Sequence, residues 1–200
     1  MAFREYKTTH PKSRQQWRNW LEKNHLNSPG IWLIYYKKET GKPRVSYEDA
    51  VEEALCFGWI DSLPRKLDVE RTMLKFTPRK SKSVWSRLNK TRVDKLIKDN
   101  QMAPAGIAAI QLAKQNGAWD TLTASDRAAA NKELPADLEK LFGKNKKAKE
   151  TFLNFSESVR RQFLYWIDSA KRLETRETRI KQTVLMAGLN RKPGLKGFKL

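Results

Sequence analysis

Cys56-Phe57-Gly58-Trp59-Ile60-Asp61-Ser62, with Phe76-Thr77-Pro78-Arg79-Lys80-Ser81-Lys82-Ser83-Val84-Trp85-Ser86 a short way on, marks where this chain turns from helix to strand and back. Upstream, Ser46 and Asp49 have the spacing of a capping box, and Val51, Ala54 and Leu55 form an apolar stripe, so a helix is predicted to end near Cys56. Downstream, Leu67, Val69, Met73 and Phe76 are separated by charged residues, and Pro64 marks a bend. That pattern predicts two strands between Ile60 and Thr77. Acid, hydroxyl, guanidinium, ammonium and indole groups crowd into these two segments, a mixture that core packing alone does not need.

Outward from this centre, Ser13 to His25 carries Trp17, Trp20 and Leu21 at helical spacing, and Asn27-Ser28-Pro29-Gly30 stops it. Ile31 to Tyr36 is short, aromatic and β-branched, and reads as a mostly buried strand. Ser83 is expected to cap a helix running toward Asn100, with Asn89, Val93 and Ile97 on one face. Pro104 suits the first turn of the next helix and Gly117 its end. The last third reads as helical: Pro135 to Phe142, Asn145 to Phe155, a helix opened by Ser156 with Val159, Phe163, Trp166, Ile167 and Ala170 on its stripe, and another opened by Thr175. The fold class expected is α+β, an N-terminal mixed helix and small-sheet part followed by a small C-terminal helical module. The divisions are 1–125 for the α+β domain with the candidate site, 135–190 for the helical module and 191–200 for a flexible basic tail, with the linker around Asp120 to Pro135 as the seam.

Two hundred residues at 39% hydrophobic can bury an ordinary core. Lys plus Arg number 41 against 22 Asp plus Glu, a net charge of +19. Residues 61–100 hold 12 basic and 5 acidic groups and residues 175–200 hold 7 and 1, so the excess has two foci. Such a field draws polyanions or phosphorylated ligands. A single cysteine excludes an intrachain disulfide framework, and two histidines with no cysteine cluster argue against a zinc site. No metal and no cofactor are expected. The N-terminus lacks the apolar core of a signal peptide and no run is long enough to span a bilayer, so a cytoplasmic location without a transmembrane segment is expected.

The motifs at 56–62, 76–80, Ser-Val-Trp-Ser-Arg-Leu-Asn at 83–89, Pro-Ala-Gly at 104–106, and Arg179-Ile180 with Asn190-Arg191-Lys192-Pro193 resemble the YdeI/OmpD-associated family, also labelled bacteriocin-protection proteins. The resemblance implies an N-terminal α+β part joined to a helical module and a loose link to envelope stress and bacteriocin tolerance. It implies no established reaction.

The candidate ligand-binding residues are Trp59, Asp61, Ser62, Arg79, Lys80, Ser83, Trp85 and Asn89. A guanidinium matches carboxylate or phosphate oxygens, so the partner expected is an anionic small molecule or an acidic partner. Asp61 and Arg79 read either as a pair orienting the cation toward a ligand or as a salt bridge between strands. Trp59 and Trp85 read either as cleft walls or as core. Cys56 follows an apolar helix face with no histidine near it, and reads as buried and inert. No catalytic residue is assigned, and the chain is read as leaning away from an enzyme. Two alternatives stay open: a nonspecific nucleic-acid-binding protein using Arg172, Arg176, Arg179, Lys181, Arg191 and Lys192, and an uncharacterised small-molecule enzyme using Asp61 as acid or base.

Overall fold

The computed structural model describes residues 6–194, 197 and 198. It is α+β: a first compact unit runs to Asp120 and a second begins at Thr121.

In the first unit, β1 (Thr8–Thr9), β2 (Ile31–Tyr36), β3 (Trp59–Lys66) and β4 (Arg71–Pro78) form one sheet in the order β1-β2-β4-β3. β1 joins β2 in parallel, and the two other pairings are antiparallel. Ile31 and Leu33 on β2 pair with Phe76 and Leu74 on β4, and all four are buried. Because strand side chains alternate, one register decision sends this whole set to one face.

Helices α1 (Arg14–Asn24), α2 (Tyr47–Cys56), α3 (Arg87–Lys98) and α4 (Pro104–Gln115) complete the unit. The core joins Trp17, Leu21, Val51, Leu55, Trp59, Phe76, Trp85, Val93 and Leu96. Ser13 caps α1 by accepting from the Gln16 amide, and Ser46 caps α2 through its bond from the Asp49 amide, as the spacing of Ser46 and Asp49 predicts.

The start of α3 differs from expectation. Its cap is Ser86, whose hydroxyl accepts from the Asn89 amide, and not Ser83, which lies in a turn with its amide bonded to the Lys80 carbonyl. The inner face is correspondingly shifted: Val93 and Leu96 are buried, whereas Ile97 is 45% exposed. Burying Trp85 immediately before the cap sets this phase.

The end of α2 meets the start of α4 closely. The Ala103 amide donates to the Cys56 carbonyl, and a Cβ on Gly106 would overlap that same carbonyl and the Met102 methyl. The Pro-Ala-Gly motif thus has a local cause, proline at the first turn and glycine at a backbone contact. Gly58, at φ 71°, supplies the left-handed turn that swings the chain from α2 into β3.

The second unit is helical: α5 (Thr123–Asn131), α6 (Ala136–Gly143), α7 (Lys146–Asn154), α8 (Glu157–Asp168) and α9 (Leu173–Gly188). The stretch expected as a linker therefore carries α5. Ala129 is fully buried, and Asp126 pairs with Arg161 at 3.1 Å. Leu138, Phe142, Phe152, Phe163, Ile167 and Ile180 belong to the core of this unit. Within the expected basic tail, Phe198 stacks on Trp166 with ring centroids 4.0 Å apart, and residues 195–196 and 199–200 lie outside the described residues. No helix among the described residues is long and apolar enough to cross a membrane.

Candidate functional site

The segment after β4 brings the second of the two polar-aromatic motifs back onto the first. Where β4 ends at Pro78, the Arg79 amide donates to the Gly58 carbonyl at 2.9 Å, extending the pairing of β3 and β4 by one bond. The chain then turns, and the Arg79 guanidinium folds onto Trp85, its carbon 3.8 Å from the ring centroid. Nη1 donates to the Val84 carbonyl at 3.0 Å.

The other donors on this plate have no partner among the described residues. Arg79 Nε and Nη2 and Trp85 Nε1 are buried without a hydrogen bond. Burial lowers the Arg79 pKa to about 10, outweighing the opposing pull of the Asp61 charge. The group stays cationic at neutral pH but is poorly solvated. Nε and Nη2 form the side edge of the guanidinium, the edge that takes two oxygens of a carboxylate or phosphate in parallel.

Other arginines of the same chain show how that edge is ordinarily filled. Arg176 presents Nε and Nη2 to the two oxygens of Asp137 at 2.6 and 3.1 Å. Arg160, 7% exposed, presents the same pair to the Ala129 carbonyl and its Nη1 to the carbonyls of Leu153 and Phe155. Arg79 alone among these three leaves its edge unmatched.

Asp61 is not paired with Arg79. Its carboxylate accepts from the Tyr47 hydroxyl at 3.1 Å. Partial burial, with Tyr47 still 40% exposed, and the Asp61 charge together push its phenol up to about 12. Tyr35 is raised as well, by burial first and by Asp61 to a lesser extent, against the opposing charge of Arg44. Asn89 accepts from Arg92 Nη1 at 3.0 Å through its amide oxygen. Tyr47, Arg92 and Trp119, whose ring lies 5.1 Å from Trp85, are neighbours that the sequence motifs do not reveal.

The remaining predicted residues are placed as follows. Trp59 is a core ring edge-on to Trp20, and its indole donates to the His25 carbonyl. Ser62 is exposed on β3 and bonds the Lys75 carbonyl. Lys80 is exposed and Ser83 half-buried in the turn beside Arg79. Two clefts of this unit lie elsewhere. One of about 390 Å³ is lined by Tyr6, Trp20 and Ser28 among others, and one of about 560 Å³ by His25, Phe57 and Pro104 among others.

Cys56 is fully buried, and burial followed by the Glu53 charge pushes its thiol up to about 11, which disfavours the nucleophilic thiolate. In the second unit, Arg176 also bonds Asp168, and Arg179 donates to Ser169 and the Trp166 carbonyl while lying over the Trp166 ring. Arg172, Lys181, Arg191 and Lys192 are exposed.

These features define an α+β domain with an incompletely satisfied, half-buried arginine, and a separate all-helical module. Residues 9–109, half of the chain, match the domain of unknown function DUF8412, and the chain belongs to that family. Residues 131–189 match the bacteriocin-protection, YdeI or OmpD-associated family. The family resemblance is thus shown for the helical module, while the motifs at 56–62, 76–80, 83–89 and 104–106 fall in the stretch matched by the first family. No curated protein and no solved structure matches the chain significantly.

Proposed function

We propose that the first unit binds a small anion, a carboxylate or phosphate group, with Arg79 as its anchor, and that it does so without catalysis. The observation that carries this reading is the trio of buried donors without partners among the described residues, Arg79 Nε, Arg79 Nη2 and Trp85 Nε1. All three are donors, so the group that satisfies them is an acceptor, and a buried donor left unmatched costs roughly 1–3 kcal/mol. Trp85 holds the guanidinium plane in place beneath. Lys80, Ser83 and Asn89 stand on the same segment and helix start, where they supply further donors. The exposed Lys80 also gives the approaching anion a favourable field.

A contribution to bacteriocin or stress tolerance is the physiological role we attach to this binding; it rests on the printed name of the family matched by the helical module. Nucleic-acid binding through the C-terminal cations has less support, because Arg176 and Arg179 are engaged within their own unit.

The test is thermal stability and calorimetry against a panel of carboxylates, phosphate esters and sulfate, with wild type beside Arg79→Ala. At least one anion is expected to raise the wild-type melting temperature and to leave the variant unchanged. An anion that shifts both proteins equally, or a panel that shifts neither, overturns the proposal.

A further inference from the structure

The sheet of the first unit has two different faces. Ile31, Leu33, Leu74 and Phe76 fill the core face, while the residues between them, Trp32, Ile34, Tyr36, Met73 and Lys75, are half-buried on the other. Register places Trp32 beside Lys75, Ile34 beside Met73 and Met73 beside Arg65.

On this face each aromatic ring carries a cation. The Arg65 guanidinium lies 5.0 Å from the Trp32 ring, Lys12 and Lys42 lie 4.8 and 5.0 Å from Tyr36, and Lys75 lies 5.1 Å from Tyr6. Lys42 is already paired with Glu70. Lys12, Arg65 and Lys75 have no acidic partner among the described residues. A chain of net charge +19 thus leaves cations over rings on a surface that could have been covered with acids.

We propose that this face binds single-stranded nucleic acid. Bases stack on Trp32 and Tyr36, which stand about 13 Å apart along one strand, and the displaced Arg65 and Lys12, with Lys75 over the neighbouring Tyr6, take the phosphates. Stacking tolerates any base once the cations over these half-buried rings move aside, Tyr36 also having the His10 ring 5.0 Å away, while the cations track the backbone. A duplex keeps its base faces stacked on one another, so to stacking rings it offers no free face. The surface is distinct from the Arg79 group and from the cations of the second unit.

Fluorescence anisotropy of a labelled oligo(dT) and of a duplex of equal length, at two salt concentrations, tests it on the full chain. The single strand is expected to bind at least tenfold more tightly than the duplex and to weaken as salt rises. Trp32→Ala with Tyr36→Ala is expected to weaken it tenfold or more. Since these rings also pack, Arg65→Glu with Lys75→Glu, two charges outside the core, is the second variant and is expected to weaken it similarly with an unchanged melting temperature. Equal binding of duplex, equal displacement by polyglutamate, no binding at all, or a loss confined to charge reversal of Arg172, Lys181, Arg191 and Lys192 overturns the proposal.

Discussion

The Arg79 guanidinium lies over Trp85, its carbon 3.8 Å from the ring centroid, yet two of its three nitrogens are buried without a partner among the described residues. Stacking over an aromatic face contributes to holding a cation but does not satisfy its N–H groups. Arg160 is the contrasting case in the same chain, with all three nitrogens bonded to backbone carbonyls of Ala129, Leu153 and Phe155. One arginine stitches its unit together, and the other keeps a single hydrogen bond, to the Val84 carbonyl, among the described residues.

That contrast gives a first prediction. Arg160→Met leaves three carbonyls without their donor, and at roughly 1–3 kcal/mol per buried unmatched group it is expected to destabilise by about 3 kcal/mol or more. Arg79→Met removes a poorly solvated cation that makes one hydrogen bond, and is expected to change stability by less than about 1 kcal/mol. Urea denaturation of both variants measures the difference; equal losses would make Arg79 a structural residue.

Ser86 and Ser83 give a second. Ser86→Ala removes the acceptor for the Asn89 amide and is expected to cost about 1 kcal/mol. Ser83→Ala leaves α3 capped and should lie within about 0.5 kcal/mol of wild type. Reversal of that order in thermal denaturation would return the cap to Ser83.

The two serines also show what the sequence could and could not tell. Both stand before an apolar-periodic run, and only the phase of that run against the core, with Leu96 in and Ile97 out, chooses between them. The strands and helices around Gly58 were legible because turn, cap and alternation signals are local. The placement of β2 beside β4, the Tyr47 to Asp61 bond and the stacking of Arg79 on Trp85 were not, since each depends on how distant or turning segments are brought together. α5 escaped because Ser, Asp and Ala give little apolar periodicity, although three consecutive alanines carry high helix propensity.

Gly106 yields a third prediction. An added Cβ would overlap the Cys56 carbonyl at the contact of α2 and α4, where backbone must move to relieve it. Gly106→Ala is expected to destabilise by about 1–3 kcal/mol. Gly143→Ala, where a Cβ meets nothing within 4 Å, is expected to be neutral or slightly stabilising. Melting temperatures of the two alanine variants check the pair, and a neutral Gly106→Ala would show that the helices separate easily.

Cys56 should be inert in the folded chain. With the thiol fully buried and raised to about 11, the folded state favours the protonated form. Its contribution to stability is full below the ordinary thiol pKa and is lost as pH rises through about 11. Ellman's reagent at neutral pH is expected to label the native protein far more slowly than the urea-unfolded chain. Rapid stoichiometric labelling of the native protein would reopen a nucleophilic role.

Tyr47 and Asp61 give the last prediction, which concerns charge rather than packing. The phenol is raised to about 12, by burial first and by the Asp61 carboxylate second. Asp61→Asn removes the second cause and keeps a side chain able to accept the hydroxyl, so the Tyr47 pKa is expected to fall toward the ordinary value. The sign also fixes a stability window: a raised phenol pKa supports the fold below the ordinary tyrosine pKa, and that support is lost as pH climbs through about 12. Carbon-detected NMR of tyrosine-labelled protein, with Tyr47→Phe assigning the resonance, follows the titration directly. If Tyr47 titrates at the same pH in wild type and in Asp61→Asn, the carboxylate does not act on the phenol and the bond between α2 and β3 carries no electrostatic weight.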